Sequence, residues 1–370
     1  IICINGNLEE GIKYIKMAIN KGNSEAMFYF ATMLYKGDKI QENKEEAMKY
    51  FKMAIDNKNA NAMFQYANML YNGERIPINK KEAVKYFKMA ADGGNSEAMN
   101  KYGIMLITGD GIRKNINEGI KYIKKAIDDN NLNAMINYAI MLYKGNTISR
   151  NKKEASKYFK IAISEGNSYA MFNYATFLYN DITNPKNKEE SAKYFKMAAD
   201  GGNSEAMSKY AEMLLTGEGI TSNIDESIKY YKKAIENNNL NAILNYANLL
   251  YEGKLIPMNK SESAKLFKIA IDSGCKHILF QYANMLYNGE GVDVNKEEAA
   301  KYYKMSALEG NSEAMNKYAI MAYYGDGIEL NVDEGLKYFK MAIKNGHVSA
   351  FVSYAKILYE GKYVRKNKVE

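Results

Sequence analysis

Few residues in this chain are of a type that does covalent chemistry, and their spacing limits what they could do. Two histidines and two cysteines occur among 370 residues. Cys275 stands two residues before His277, close enough for a thiolate and its base, or for two ligands of a zinc ion. No third ligand or orienting group is adjacent, and His347 is remote in sequence, so neither a zinc centre nor a nucleophilic pair is supported. Four Gly-x-Gly fragments, Gly109 to Gly111, Gly217 to Gly219, Gly289 to Gly291 and Gly325 to Gly327, have the glycine spacing of a phosphate loop. They lack the preceding strand and the Lys-Ser/Thr ending that phosphate binding needs, and read as turn chemistry. The sequence therefore points to no catalytic residue, no metal ligand and no cofactor.

Lysines carry the remaining chemistry. They occur in pairs three apart: Lys13 and Lys16, Lys49 and Lys52, Lys85 and Lys88, Lys121 and Lys124, Lys157 and Lys160, Lys193 and Lys196, Lys229 and Lys232, Lys265 and Lys268, Lys301 and Lys304, Lys337 and Lys340. Twenty of the 51 basic residues thus fall in one register. The pairs from Lys49 to Lys304 are the candidate partner-binding residues, since a row of ammonium groups attracts an acidic segment through its summed field. A plainer account competes with this. Acidic residues lie one turn before the first lysine or one turn after the second in many copies, as with Glu45 and Lys49 or Lys52 and Asp56, which is ordinary helix-surface pairing.

The lysine pairs bracket an aromatic column with a constant interval of 36 residues, Tyr14, Tyr50, Tyr86, Tyr122, Tyr158, Tyr194, Tyr230, Leu266, Tyr302 and Tyr338. A fixed period of this size marks a repeat array in which each unit buries its apolar face against its neighbours. Asn43 recurs in every copy as far as Asn367, including Asn187, and Glu46 follows it three residues later as far as Glu370. Asn with Glu at the third position after it is a capping box, so a helix starts there. Turned at about 100° per residue, this helix gathers Ala47, Tyr50, Phe51 and Ala54 on one face and Lys49, Lys52 and Asp56 on the other. Gly22 and its equivalents end it. A second helix buries Ala26, Met27, Phe30, Ala31 and Leu34, and Gly37 and its equivalents end that one. Pro77, Pro185 and Pro257 all fall in the loop between repeats, where a missing N–H does least harm.

The pattern Ala-Met-x-x-Tyr-Ala-x-x-Leu-Tyr-x-Gly followed by Asn-Lys-x-Glu-Ala-x-Lys-Tyr-Phe-Lys-x-Ala resembles the Sel-1-like repeat, a relative of the tetratricopeptide repeat. The resemblance covers the whole chain. It implies an all-α, right-handed α-solenoid of about ten helix-turn-helix repeats with first helices on the concave side, so that the lysine pairs would line the groove. It also implies a non-enzymatic scaffold or adaptor for other proteins. Gly103 alone keeps the family's helix-packing glycine, and tyrosine replaces its frequent tryptophan. The eighth copy, with Leu266, Cys275 and Ile278, is expected to be locally irregular.

A longer period overlies the short one. Residues Phe64 to Tyr102 match Phe280 to Tyr318 at 29 of 39 positions, and the longer run Gly-Asn-Ser-Glu-Ala-Met-x-Lys recurs at Gly94, Gly202 and Gly310, ending in Lys101, Lys209 and Lys317. Duplication of three-repeat blocks accounts for this, and a match to a partner with its own regular spacing is the alternative.

No linker or composition shift divides the sequence, so residues 1–370 read as one continuous repeat domain, with first helices starting near residues 7, 43, 79, 115, 151, 187, 223, 259, 295 and 331. Ile1 to Gly6 align with an inter-repeat loop, and Asn367 with Glu370 opens a further capping box, so a longer array is expected. No apolar run is long enough to span a membrane. Cys3 and Cys275 are not equivalent in the repeat, which favours a reducing compartment. The expected location is cytoplasmic or cytoskeletal, with the endoplasmic reticulum lumen as the alternative. A net charge of +8 and aromatics spaced for burial indicate no nucleic-acid partner. The alternative roles are a structural part of a cytoskeletal or ciliary, microtubule-associated assembly and, less so, a lumenal quality-control adaptor.

Overall fold

A computed structural model describes residues 8–37, 40–74, 76–181 and 186–360. Ile1 to Gly6, Asn7, Pro185, Gly361, Asn367 and Glu370, on which several expectations fall, lie outside these residues. The described residues form twenty α-helices and no strand. The chain divides into two compact units, Ile1–Tyr174 and Ala175–Glu370.

The first unit contains α1 (Leu8–Asn20), α2 (Ser24–Lys36), α3 (Lys44–Asp56), α4 (Ala60–Asn72), α5 (Lys80–Asp92), α6 (Ser96–Thr108), α7 (Ile116–Asp128), α8 (Leu132–Lys144) and α9 (Lys152–Ser164). The boundary falls within α10 (Ser168–Tyr179). The second unit continues with α11 (Lys186–Asp200), α12 (Ser204–Thr216), α13 (Ile224–Glu236), α14 (Leu240–Glu252), α15 (Lys260–Asp272), α16 (Leu279–Asn288), α17 (Lys296–Leu308), α18 (Ser312–Tyr324), α19 (Val332–Lys344) and α20 (Val348–Glu360). Odd-numbered helices are the first of each repeat and even-numbered ones the second.

The tightest packing joins the second helix of one repeat to the first helix of the next, as in α2 with α3, α6 with α7 and α18 with α19. Small residues make this possible. Ala31 and Ala47 are fully buried, as are Ala67 and Ala83. Where Gly103 meets Gly119, a Cβ on Gly103 would lie 2.8 Å from the Gly119 carbonyl oxygen. Serine fits the same column by hydrogen bonding across it: the Ser227 and Ser263 hydroxyls each donate to a facing backbone carbonyl, of Ala211 and Ala247, at 2.7 Å.

The aromatic column divides its work. Phe51, Phe87, Phe159, Phe195, Phe267 and Phe339 are completely buried, whereas Tyr50, expected in the same stripe, is only half-buried. Tyr50 sits edge-on to Phe30 of the preceding repeat, with centroids 4.9 Å apart. The same contact recurs between Tyr66 and Tyr86, Tyr102 and Tyr122, and Tyr210 and Tyr230, an arrangement worth about 0.5–1.5 kcal/mol beyond burial.

Capping departs from the expected box in one detail. Asn43 accepts from the Glu46 N–H, but its own N–H donates to the Leu34 carbonyl at 2.9 Å, so Glu46 accepts from the Asn43 side-chain amide instead. The asparagine thereby ties the new helix to the end of the previous one. Asn187 breaks the rule: α11 starts one residue before it, and its amide donates to the Asp181 carbonyl, at the one position where Asp replaces the terminating glycine. The eighth copy is irregular as expected. With Cys275 in the column that holds Asn239 and Asn311, α16 has no side-chain cap and only 10 residues against 13 in its neighbours.

The Gly-x-Gly fragments prove to be clamps between repeats. Both glycines of each have positive φ, and the acid between them is held by a tyrosine of the preceding repeat and a lysine from the first helix of its own. Asp110 accepts from Tyr71 at 2.5 Å and Lys80 at 2.9 Å, and Asp326 accepts from Tyr287 and Lys296. Glu218 and Glu290 are gripped in the same way, by Tyr179 with Lys188 and by Tyr251 with Lys260. The bond from Tyr71, and then that from Lys80, holds the Asp110 carboxyl below its ordinary pKa. At Gly219 and Gly291 the second glycine also avoids a backbone clash: a Cβ on Gly291 would lie 2.3 Å from the Lys260 carbonyl carbon.

Two stability outcomes follow from these contacts. Tyr174, 3% exposed and packed on Phe159 at 5.8 Å, should cost about 3–5 kcal/mol when changed to Ala, read from urea unfolding; a loss below about half a kcal/mol would place it on the surface. Gly310→Ala, where φ is +96° and nothing obstructs a Cβ, should cost about 1–2 kcal/mol for left-handed backbone alone. Gly291→Ala should cost at least twice as much, and equal losses would show that the Lys260 contact is not a constraint.

Candidate functional site

The candidate residues Lys49, Lys52, Lys85, Lys88, Lys121, Lys124, Lys157, Lys160, Lys193, Lys196, Lys229, Lys232, Lys265, Lys268, Lys301 and Lys304 all lie on first helices. Each is exposed except Lys268 and Lys304, which are half-buried. Their register puts the two members of a pair to different uses. The second lysine leans over the tyrosine of its own repeat's second helix: the Lys124 ammonium lies 5.6 Å from the Tyr138 ring centre, Lys160 5.9 Å from Tyr174 and Lys304 5.3 Å from Tyr318. From there it reaches the capping glutamate of the next repeat. Lys304 binds Glu334 at 2.7 Å, and Lys196 approaches Glu226 at 3.8 Å. That hydrogen bond raises the Lys304 pKa.

Pairing along one helix also occurs, between Lys268 and Asp272 at 2.5 Å and between Lys301 and Glu297 at 3.2 Å. Some of the other acids serve different partners. Asp92 and Asp200 accept from the hydroxyls of Tyr122 and Tyr230 in the next repeat, both at 2.7 Å, and burial followed by that bond raises both tyrosine pKa values.

Pockets open beside the lysines of the second unit, and two of them correspond. One, about 670 Å³, lies between α11, α12 and the loop after α12, lined by Glu189, Ala192, Lys193, Lys196, Tyr210, Gly219, Ile220 and Thr221. The other, about 790 Å³, includes Glu297, Ala300, Lys301, Lys304, Tyr318, Gly327, Ile328 and Glu329, with Asn331 and Glu334 of the next repeat. Residue for residue, the second repeats the first one three-repeat block further on. Both are lined by an alanine, an isoleucine and a tyrosine beside two lysines, and the first is the more apolar of the two.

The other sequence candidates are placed as follows. Cys275 is buried and its sulfur lies 3.2 Å from His277 Nδ1. Among the described residues no cluster of three or more His, Cys, Asp or Glu could hold a metal. His347 caps α20, its Nδ1 accepting from the Ala350 N–H at 3.3 Å. The asparagine column that Cys275 interrupts has a role its recurrence alone does not assign: Asn23, Asn59, Asn95, Asn131, Asn203, Asn239 and Asn311 each cap a second helix. Its position just before each second helix was the available signal. Among the described residues no helix is long and apolar enough to cross a membrane.

Comparison with known proteins places this architecture. The chain matches the Sel1 repeat over residues 24–59, 60–95, 96–131, 132–167, 168–203, 204–239, 240–275, 279–311 and 312–347. The match is interrupted at the irregular start of α16. Among solved structures it is similar to c5321, described as a protective antigen of uropathogenic Escherichia coli with an SLR fold, at 21% identity and a TM-score of 0.60 over 96% of this chain and 76% of that one. It is also similar to a Sel1 repeat protein from Oxalobacter formigenes, at 19% identity and a TM-score of 0.57 over 82% and 88% of the two chains. No curated protein matches. Nine successive repeat matches, together with helix pairs bound through small-residue columns, make the chain a member of the Sel1 repeat family, an all-α solenoid of helix pairs.

Proposed function

We propose that the protein is a non-enzymatic scaffold that docks acidic segments of partner proteins on its first-helix lysine face. The coarser part rests on the family: Sel1 repeats form a protein-interaction fold that is generally non-catalytic. One observation carries the finer part. At the first pocket Lys193 and Lys196 stand beside Glu189, and Lys196 meets Glu226 only at 3.8 Å, against 2.7 Å for Lys304 with Glu334, so their ammonium groups are open to a further carboxylate. Residues 1–370 act in this reading as one continuous array, in the cytoplasm or on the cytoskeleton.

A structural role in a cytoskeletal or ciliary, microtubule-associated assembly is the second reading. Recurrence of contacts one three-repeat block apart favours it, as with Lys101 and Lys209, each 4.3 Å from a tyrosine ring, Tyr71 and Tyr179. A lumenal quality-control adaptor remains the third. Affinity purification from native cells with mass spectrometry separates the three, through acidic client proteins, tubulin or axonemal proteins, and ubiquitin-ligase components respectively.

Changing Lys157, Lys160, Lys193 and Lys196 together to Glu should weaken capture of the acidic partner by at least tenfold and flatten its salt dependence. Helix content by circular dichroism should not change. Unaltered affinity would reduce the lysine face to a solvated surface.

A further inference from the structure

The pocket beside Lys193 owes its existence to one small side chain. Ala192 occupies a column that holds Ile12, Met48, Val84, Ile120, Ile228 and Leu336 in other repeats and the small Ser156 in one. Most of those larger residues reach outward and are half-buried, whereas Ala192 is 4% exposed and lies at the floor of a space of about 670 Å³. Ala300 repeats the substitution and the pocket, at 2% exposed and about 790 Å³. Ala264 shares the small side chain, in the copy where Lys268 is bound to Asp272. Where a sibling repeat fills this space with its own side chain, these repeats leave it to be filled from outside.

The walls define what fits. Ile220 and the Tyr210 ring are apolar, and the lysine stems add methylenes before their ammonium groups reach water. The Thr221 hydroxyl and the two ammonium groups are the polar contacts available at the rim. The two pockets differ in charge. Around Ala192 two lysines face Glu189 and Glu226, which Lys196 meets only at 3.8 Å, and around Ala300 two lysines face Glu297, Glu334 and also Glu329, which stands where Thr221 does. Lys301 and Lys304 are there bound to Glu297 and Glu334 at 3.2 and 2.7 Å.

We infer that the Ala192 pocket is a docking site for a partner segment that carries a leucine-sized apolar side chain next to a carboxylate. The apolar group enters over Ala192 between Tyr210 and Ile220, and the carboxylate meets Lys193 and Lys196. The Ala300 pocket repeats these positions with its lysines closely paired and Glu329 in place of Thr221, and binds the same segment more weakly. This rests on the scaffold reading and adds the partner's side-chain chemistry and the position of its anchor.

The test uses the intact chain and two fluorescein-labelled peptides, one of repeating Leu-Asp-Asp and one of repeating Ser-Asp-Asp, followed by fluorescence anisotropy. The leucine peptide should bind about tenfold or more tightly than the serine peptide, the effect of one buried aliphatic side chain. Ala192→Ile, which copies Ile120 and Ile228, should abolish that advantage without lowering the urea midpoint, and Ala300→Ile should leave the tight site intact. Ala192→Val, copying Val84, gives the same reading if the isoleucine variant folds poorly. Wild-type affinity in both Ala192 variants, or equal binding of the two peptides, overturns the pocket. Equal losses from Ala192→Ile and Ala300→Ile, with no salt dependence, keep the pockets and overturn the lysine reading. Absence of binding by either peptide overturns both.

Discussion

Everything in this chain depends on how closely the second helix of one repeat approaches the first helix of the next. A helix pair of this size cannot bury both its faces alone, so its stability comes from neighbours. The approach is closest where the facing residues are alanine, serine or glycine. Ala31 against Ala47 sets the pattern, Gly103 against Gly119 carries it to backbone contact, and the serines at 227 and 263 turn it into a hydrogen bond. With that distance fixed, the larger residues fall into place around it. Phe51 and its equivalents fill the interior, and the tyrosine beside each stands edge-on to a ring of the repeat before. The clamps of Asp110, Glu218, Glu290 and Asp326 secure the same junction from the loop side.

How much of this was legible in the sequence depended on whether the partner of a residue was local. Helix starts at Asn43 and its equivalents, ends at Gly37 and its equivalents, and the buried stripe of Ala47, Phe51 and Ala54 all follow from contacts within a few residues, and they were readable. Contacts about thirty residues away were not. Lys196 and Lys304 face glutamates one repeat on rather than the acids of their own helix, because the second lysine of each pair sits on the edge that meets the following first helix. Tyr50 was placed in the core for the same reason: helical periodicity shows that it shares a face with Phe51, but not that the face ends at a junction with another repeat. Glu46 accepts from an asparagine side chain because the backbone N–H it was expected to take already serves Leu34, and nothing in the local spacing reveals that prior use.

The site follows the same logic. The lysine register was plain in the sequence because it recurs, yet recurrence is also what makes it a poor guide to specificity. All copies look alike along the chain, and they differ in space through residues outside the lysine pair. Lys301 and Lys304 are bound closely by Glu297 and Glu334, with Glu329 beside them, while Lys196 meets Glu226 only at 3.8 Å and Thr221 takes the place of the third acid. A partner that read only lysines would have no means of choosing its place along such an array.

Selection among near-identical repeats therefore has to come from positions where the repeats disagree. In a solenoid a departure in one copy disturbs mainly its immediate neighbours, so the fold tolerates it where a globular core would not. The column of Ile12, Met48, Ile120 and Ala192 is such a position. It lies outside the small-residue contact, it varies in volume by several methyl groups, and it borders the lysines. A smaller residue there costs the repeat little, since the larger ones it replaces are half-exposed, and it converts a filled surface into a recess with charge at its rim. The departures from the repeat, rather than the repeat itself, are where this protein can distinguish one stretch of its surface from another.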